Sequence, residues 1–138
     1  MVDTLREQVH PTISLVAEID GAVVGHIFFS PVSLVGHPDL RIIGLAPMAV
    51  LPTYQNQGIG SALVLEGLKA CKEADFQVTI VLGHPGFYPR FGFVPSIQFG
   101  IDSEYDVPPE VFMALELEEN ALQGNSGRIQ YHPAFAEV

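Results

Sequence analysis

A seven-residue stretch, residues 55–61, has the residue types and the spacing to bind an anionic ligand. It reads Gln-Asn-Gln-Gly-Ile-Gly-Ser, with an apolar run at 42–51 before it and a helical pattern at 58–74 after it. Glycines let the main chain turn tightly and approach a ligand closely. The first turn of a helix presents unpaired N–H groups, and its dipole favours negative charge. The order of strand, glycine turn and helix therefore predicts a backbone cradle for a pyrophosphate.

Two better-known glycine motifs do not fit this stretch. A dinucleotide-binding GxGxxG would need a third glycine where Leu63 stands, and the Gly-Lys-Ser/Thr of a P-loop is absent from the sequence. Two alternatives stay open on the residues alone. One is an ordinary tight strand-to-helix turn, and the other is a phosphate-binding domain of a general kind.

Three side chains are candidates for the general base. His84 follows a buried strand pattern at 77–82, and imidazoles titrate near neutral pH, as a general base should. A turn histidine with no chemical role is the alternative interpretation. The carboxylates of Glu18 and Glu116, both within strand patterns, are the other candidates.

The other histidines and the single cysteine suggest no metal site. His26 lies inside a strand pattern and is expected to be packed, while His10, His37 and His132 are scattered near prolines or a terminus. No HxxxH or CxxC spacing is present to hold a metal. Cys71 falls on the apolar side of the helical pattern, so we expect a buried, inert thiol.

Length and charge limit the class of protein. The 138 residues suit one domain, 1–138. The formal net charge of −10 argues against a nucleic-acid partner, because binding phosphate backbones requires a basic surface. The first residues lack the apolar core of a signal peptide, and no apolar run is long enough to span a membrane. We therefore expect a soluble cytoplasmic protein that binds neither nucleic acid nor membrane.

Hydrophobic periodicity predicts an α/β (α+β) fold with an antiparallel hairpin and one βαβ crossover. The pair Asp20-Gly21 predicts the hairpin turn. Pro47, inside a strand pattern, predicts a bulged or splayed strand, because proline cannot donate to the ladder. The predicted elements are helices at 2–9 and 58–74, a short helix opening the aromatic segment 87–93, and strands at 13–19, 23–34, 42–50, 77–82, 111–117 and 128–132.

Two motifs give the sequence a family resemblance. Residues 47–60, Pro-Met-Ala-Val-Leu-Pro-Thr-Tyr-Gln-Asn-Gln-Gly-Ile-Gly, resemble the coenzyme A motif of the GCN5-related N-acetyltransferase (GNAT) superfamily. Residues 86–93, Gly-Phe-Tyr-Pro-Arg-Phe-Gly-Phe, resemble its second signature, a Tyr followed four residues later by Gly-Phe. With Gly-His-Ile at 25–27 and Phe-Met-Ala-Leu-Glu-Leu at 112–117, the chain is most similar to the YhbS-like branch over 13–135. The resemblance implies the GNAT fold, a mixed and mostly antiparallel sheet with a central splayed strand.

The resemblance also implies roles for individual residues, with acetyl-CoA as co-substrate and no metal. The backbone of Met48, Ala49 and Val50 would pair with the pantetheine arm like an added strand. Tyr88 matches the family tyrosine that lies near the coenzyme sulfur and can protonate the departing thiolate; an aromatic that only packs is the alternative. The residues implied to wrap the pyrophosphate are Gln55, Asn56, Gln57, Gly58, Ile59, Gly60 and Ser61.

Two departures from the family pattern qualify these roles. Only about a dozen residues precede residue 13, so we expect an N-terminally shortened domain without the family's first strand and helix, which normally wall the acceptor site. An asparagine that many relatives carry before the tyrosine has no counterpart, because that turn reads Gly-His-Pro-Gly at 83–86. No asparagine role is carried over.

These residues and resemblances favour one function and leave a second open. The first is an N-acetyltransferase that moves the acetyl group of acetyl-CoA to an amine of a small molecule or protein by direct attack. The second is a coenzyme A-binding module, sensor or subunit without transferase activity. We also expect a homodimer, and the sequence does not identify the amine acceptor.

Overall fold

The computed structural model describes residues 12–103 and 107–131. Some of the predictions concern residues outside these ranges. They are the helix at 2–9, the absence of the family's first strand and helix, and the positions of His10 and His132. Within them, one mixed sheet carries eight strands, and one α-helix connects two of those strands. The strands are β1 (Ile13–Ile19), β2 (Ala22–Leu34), β3 (Ile42–Val50), β4 (Val78–Leu82), β5 (Val94–Pro95), β6 (Ile101–Ser103), β7 (Phe112–Glu116) and β8 (Gly127–Tyr131), and the helix is α1 (Ile59–Glu73).

The long strand β2 organises the sheet. The strand order is β5-β7-β4-β3-β2-β8-β6, and β1 also pairs with β2. β1 and β8 follow one another along the edge of β2 opposite β3, because β1 pairs up to Phe29 and β8 begins at Val32. The β1–β2 hairpin closes at Asp20 and Gly21, which both have positive φ. Most neighbouring pairs are antiparallel, so the predicted mixed, mostly antiparallel sheet is confirmed.

The central strand β3 is bulged and splayed, as Pro47 predicts. Opposite β2, Met48 pairs with Ile27 and Leu45 pairs with Phe29, so β3 carries one extra residue in this interval. On its other side β3 runs parallel to β4, and the described pairing ends at Leu45. Beyond Leu45, therefore, the edge of β3 that faces β4 is open. The parallel strands β3 and β4, with α1 between them in the chain, form the predicted βαβ unit.

Apolar side chains cover both faces of the sheet. Five residues of α1 are buried against the first face, and their spacing places them on one side of the helix: Leu63, Val64, Gly67, Leu68 and Cys71. Phe29 of β2 packs so closely under Gly67 that a Cβ atom there would overlap its ring. On the second face, sheet residues pack against the 3₁₀ turn Ser96–Phe99 and the turn around Leu122.

The structure changes the predicted elements in a few places. Predicted helix and strand ends shift by one residue or so, with Gly58 becoming the residue that precedes α1. Leu65, an apolar residue within the helical pattern, is more than half exposed. The short strands β5 and β6 were not predicted, because two or three residues show no periodicity and depend on partners far along the chain. The short helix expected in the aromatic segment is the 3₁₀ turn Tyr88–Phe91.

Candidate functional site

The turn between β3 and α1 leaves backbone amides without partners. The first hydrogen bond of α1 runs from Ala62 N–H to the Gly58 carbonyl, at 3.0 Å. The amides of the three residues before Ala62 therefore have no carbonyl one turn earlier in the helix. Gly58 makes no side-chain cap, and the first turn contains no acidic residue. An anion can take the place that a capping side chain occupies in other helices.

Two backbone conformations shape this turn. Asn56 and Gly58 both have positive φ, 65° and 83°. Gly58 adopts this conformation without strain because it has no Cβ atom, and asparagine is one of the residues that tolerate it. Alternating left-handed and right-handed residues form a concave array of N–H groups that suits anions.

Hydrogen bonds hold the turn to the end of β3. The Gln55 side chain donates from Nε2 to the Val50 carbonyl at 3.1 Å, and Gln57 donates in the same way to the Thr53 carbonyl at 3.2 Å. The Leu51 amide donates to the Val24 carbonyl of β2 at 2.8 Å. These side-chain amides thus stabilise the loop, which is a structural role that their position in the motif did not reveal.

A cleft of about 800 Å³ lies beside this turn. It brings together most of the residues predicted to bind coenzyme A and adds two that the sequence analysis did not assign to the site, Phe87 and Arg90. Gln57, Ile59, Tyr88 and His84 do not line it. The lining residues are Met48, Ala49, Val50, Gln55, Asn56, Gly58, Gly60, Ser61, Phe87 and Arg90.

Tyr88 lies directly behind the cleft wall. Its ring packs edge-on against Phe87 and Phe93, with centroids 5.0 and 5.7 Å apart. It is buried, and a Cβ atom added to Gly83 would overlap the ring. Burial raises the pKa of the Tyr88 phenol above its ordinary value, so the hydroxyl stays protonated at neutral pH. A protonated phenol can donate a hydrogen bond or a proton.

His84 is exposed at the turn after β4, and its ring is engaged in the local backbone. Its Nδ1 accepts a hydrogen bond from the Gly86 amide at 3.0 Å. In a neutral ring with this bond the proton is on Nε2. His84 could then accept a proton only by losing the Gly86 bond, so the geometry favours the turn role over the general base.

The remaining candidates are spread over the molecule. Glu116 accepts the Leu122 amide at 2.8 Å and so stabilises the turn after β7. Glu18 is exposed at an irregularity in β1, and His37 contacts the Ser126 carbonyl through Nε2 at 3.1 Å. Cys71 is fully buried, as predicted, and burial raises the pKa of its thiol to about 12. In the part of the chain that the structure describes, no group of three His, Cys, Asp or Glu side chains could hold a metal ion.

Comparison with known proteins decides the family. Residues 10–95, more than half of the chain, match the model of the acetyltransferase (GNAT) domain. The protein belongs to the GNAT family. This confirms the resemblance carried by the two motifs and the predicted acyltransferase class.

Named GNAT proteins resemble the chain over nearly its whole length. It is 37% identical over 136 residues to the uncharacterized N-acetyltransferase YhbS of Escherichia coli (strain K12), covering 98% of this chain and 81% of YhbS. The crystal structure of E. coli YhbS in complex with CoA superposes with a TM-score of 0.89 at 36% identity, covering 98% of this chain and 75% of that one. A GNAT acetyltransferase from Brucella melitensis in complex with acetyl-CoA has a TM-score of 0.75 at 37% identity, covering 97% and 75%. These similarities confirm the predicted fold.

Among residues 12–103 and 107–131, no helix is both long and apolar enough to cross a bilayer.

Proposed function

We propose that this protein transfers an acetyl group from acetyl-CoA to an amine of a small molecule or a protein. The observation that carries the proposal is the uncapped amide turn at the start of α1, placed in one cleft with the open edge of β3. A pyrophosphate suits the amides, and an extended amide-containing arm suits the strand edge. The relatives whose structures contain CoA or acetyl-CoA support this choice of ligand.

The chemistry follows from this placement. With the pantetheine arm along Met48–Val50, a main-chain N–H of the splayed part of β3 would polarise the thioester carbonyl as negative charge develops on its oxygen. The neutral amine nitrogen attacks the carbonyl carbon, a C–N bond forms and the C–S bond breaks. The sulfur leaves with the electron pair and takes a proton from the Tyr88 hydroxyl, while the attacking nitrogen loses one to solvent or a base. In this proposal Tyr88 acts as the acid from behind Phe87.

The site-residue assignments divide by position. Residues lining the cleft are proposed to contact the coenzyme directly: Met48, Ala49, Val50, Gln55, Asn56, Gly58, Gly60 and Ser61. Gln57 and Ile59 contribute through the turn itself, since the Gln57 side chain anchors it and the Ile59 amide belongs to the first turn of α1.

A coenzyme A-binding module without transferase activity is the second candidate. It is favoured by one observation: within the described residues, neither a carboxylate nor an imidazole lines the cleft. The test is release of free thiol from acetyl-CoA across a panel of amines, followed by mass spectrometry of the products. Acetylated product at rates above the uncatalysed background supports the enzyme. Tight CoA binding with no product from any amine supports the binding module.

The finer assignments are part of the same proposal. We take 1–138 as one acetyltransferase domain. The sequence contains a single cysteine and so no internal disulfide, which supports a cytoplasmic location.

The edge strand β1, which pairs only with β2 among the described strands, supports a homodimer. Light scattering coupled to size exclusion would measure the mass, and a monomer at micromolar concentration would refute the dimer.

A further inference from the structure

Arg90 is the charged side chain of the cleft. Every other lining residue that the structure describes there is neutral. The whole chain carries a formal charge of −10, so the surrounding field is unfavourable for an anion. A single arginine inside the cleft would therefore strongly influence which ligands bind there.

Phe87 places this charge near the amide turn. The Arg90 guanidinium carbon lies 4.9 Å from the centroid of the Phe87 ring. The same ring reaches the start of α1, because its Cζ atom lies 3.8 Å from the position of a Cβ atom on Gly60. Edge-on contacts with Tyr88 and Phe91, at 5.0 and 5.2 Å, fix the orientation of Phe87. One aromatic ring thus connects the cation to the uncapped turn.

A second arginine of the same chain provides a contrast. Arg41 also lies over an aromatic ring, 4.8 Å from the centroid of Phe76. Its Nε and Nη2 atoms donate to the carbonyls of Asp75 and Ala74 after α1, at 3.1 and 3.0 Å. Arg90 has the ring contact but, within 12–103 and 107–131, no hydrogen bond or ion pair. Its donors are free for a ligand, whereas those of Arg41 serve the fold.

We propose that Arg90 binds the pyrophosphate of the coenzyme from the side opposite the α1 amides, and that Phe87 positions it. Guanidinium donors suit phosphate oxygens, and the bond is charge-assisted. The assignment rests on the proposed function, since it specifies which group of the coenzyme the cleft recognises. The pyrophosphate is preferred over the 3′-phosphate because Phe87 contacts the turn that holds the amides.

The test compares binding of CoA, dephospho-CoA and pantetheine to the full chain by isothermal titration. In wild type we expect CoA and dephospho-CoA to bind far better than pantetheine. Arg90→Gln should weaken both nucleotide ligands by a similar factor, about tenfold, and flatten the salt dependence of their Kd. Arg90→Lys should recover part of the loss. Arg41→Gln, the matched control, should lower Tm without changing the Kd of the folded protein.

Each outcome has a distinct meaning. If wild type binds no CoA, the proposed function fails. If wild type binds CoA and Arg90→Gln binds equally well, only the assignment to Arg90 is overturned. A loss confined to CoA, with dephospho-CoA unaffected, would instead assign Arg90 to the 3′-phosphate and refute the pyrophosphate contact. Phe87→Leu should weaken CoA binding in the wild-type background and have little further effect in Arg90→Gln; equal losses in both backgrounds would refute a positioning role.

Discussion

The ring of Tyr88 lies against the backbone of Gly83, where a Cβ atom would overlap Cε2 and come within 2.9 Å of Cδ2. The Gly83 amide in turn donates to the Val111 carbonyl at 2.9 Å, so the backbone there is held in place. The close contact between Gly83, in the turn after β4, and Tyr88, in the following 3₁₀ turn, therefore fixes the phenol behind the cleft. The φ of Gly83 lies outside the positive range, so its backbone conformation does not require glycine. The close approach of the Tyr88 ring does.

Removing the Tyr88 hydroxyl should separate catalysis from binding. Tyr88→Phe keeps the buried ring and its contacts, so we expect unchanged Tm and CoA affinity but kcat lower by about a hundredfold if the phenol is the acid. Gly83→Ala should lower both kcat and Tm, because the ring must move. Steady-state kinetics with the best amine substrate and thermal denaturation measure these effects. Unchanged kcat in Tyr88→Phe would assign the residue to packing alone.

His84 should be replaceable by a residue that keeps the turn. The Asn side chain can accept the amide two residues ahead, as His84 Nδ1 now accepts Gly86 N–H, but it cannot act as a base. We expect His84→Asn to retain most of wild-type kcat/KM with the same pH profile. Loss of one limb of the pH–rate profile in this variant would establish the general base that the sequence suggested.

Two glycines of α1 should respond in opposite ways to alanine. At Gly67 the new methyl group meets the buried ring of Phe29, so overpacking of about 1–3 kcal/mol should exceed the helix-propensity gain of about 1 kcal/mol. At Gly60 the nearest atoms, Phe87 Cζ and Val50 Cγ2, are 3.8 and 3.9 Å away. Gly60→Ala should therefore be neutral or stabilising. Urea denaturation measures the free energy of unfolding of both variants. A Gly67→Ala protein as stable as wild type would contradict the close contact between Gly67 and the Phe29 ring.

Cys71 should be unreactive in the native state. With a thiol pKa of about 12, the thiolate is a minute fraction at pH 8, and the side chain is inaccessible. A chromogenic disulfide reagent should label the protein only after guanidinium is added. Rapid labelling without denaturant would show that the helix opens readily there.

The same thiol should make stability depend on alkaline pH. Its pKa rises from an ordinary value of 9.0 to about 12 on folding, so the unfolded state loses the proton first. The contribution of the buried neutral thiol to the free energy of unfolding is fully present below pH 9 and declines as the pH rises toward 12. Cys71→Ala should show a shallower decline over that window than wild type, in chemical denaturation at a series of pH values. Parallel slopes would contradict the burial of the thiol.

Local patterns in the sequence predicted the parts of this fold that depend on neighbouring residues. The spacing of Leu63, Val64 and Leu68 predicts one buried side of α1, and Asp20-Gly21 predicts a turn that requires positive φ. Pro47 predicts the irregularity of β3, because a missing N–H affects the ladder wherever the strand lies. The glycine turn and its likeness to a known coenzyme motif also follow from contiguous residues.

Contacts between distant residues needed the tertiary structure. Arg90 and Phe87 join the cleft only because the 3₁₀ turn Tyr88–Phe91 packs beside the start of α1, some thirty residues earlier in the chain. Some short-range bonds also needed the structure, because they depend on side-chain direction in the folded chain. Glu116 accepts the Leu122 amide and His84 accepts the Gly86 amide, and no pattern within the sequence marks either bond. The sequence alone thus determined the family, the amide turn and its ligand class. Only the tertiary structure decided which side chains line the cleft beside the turn, because a lining residue is selected by packing and not by its position along the chain.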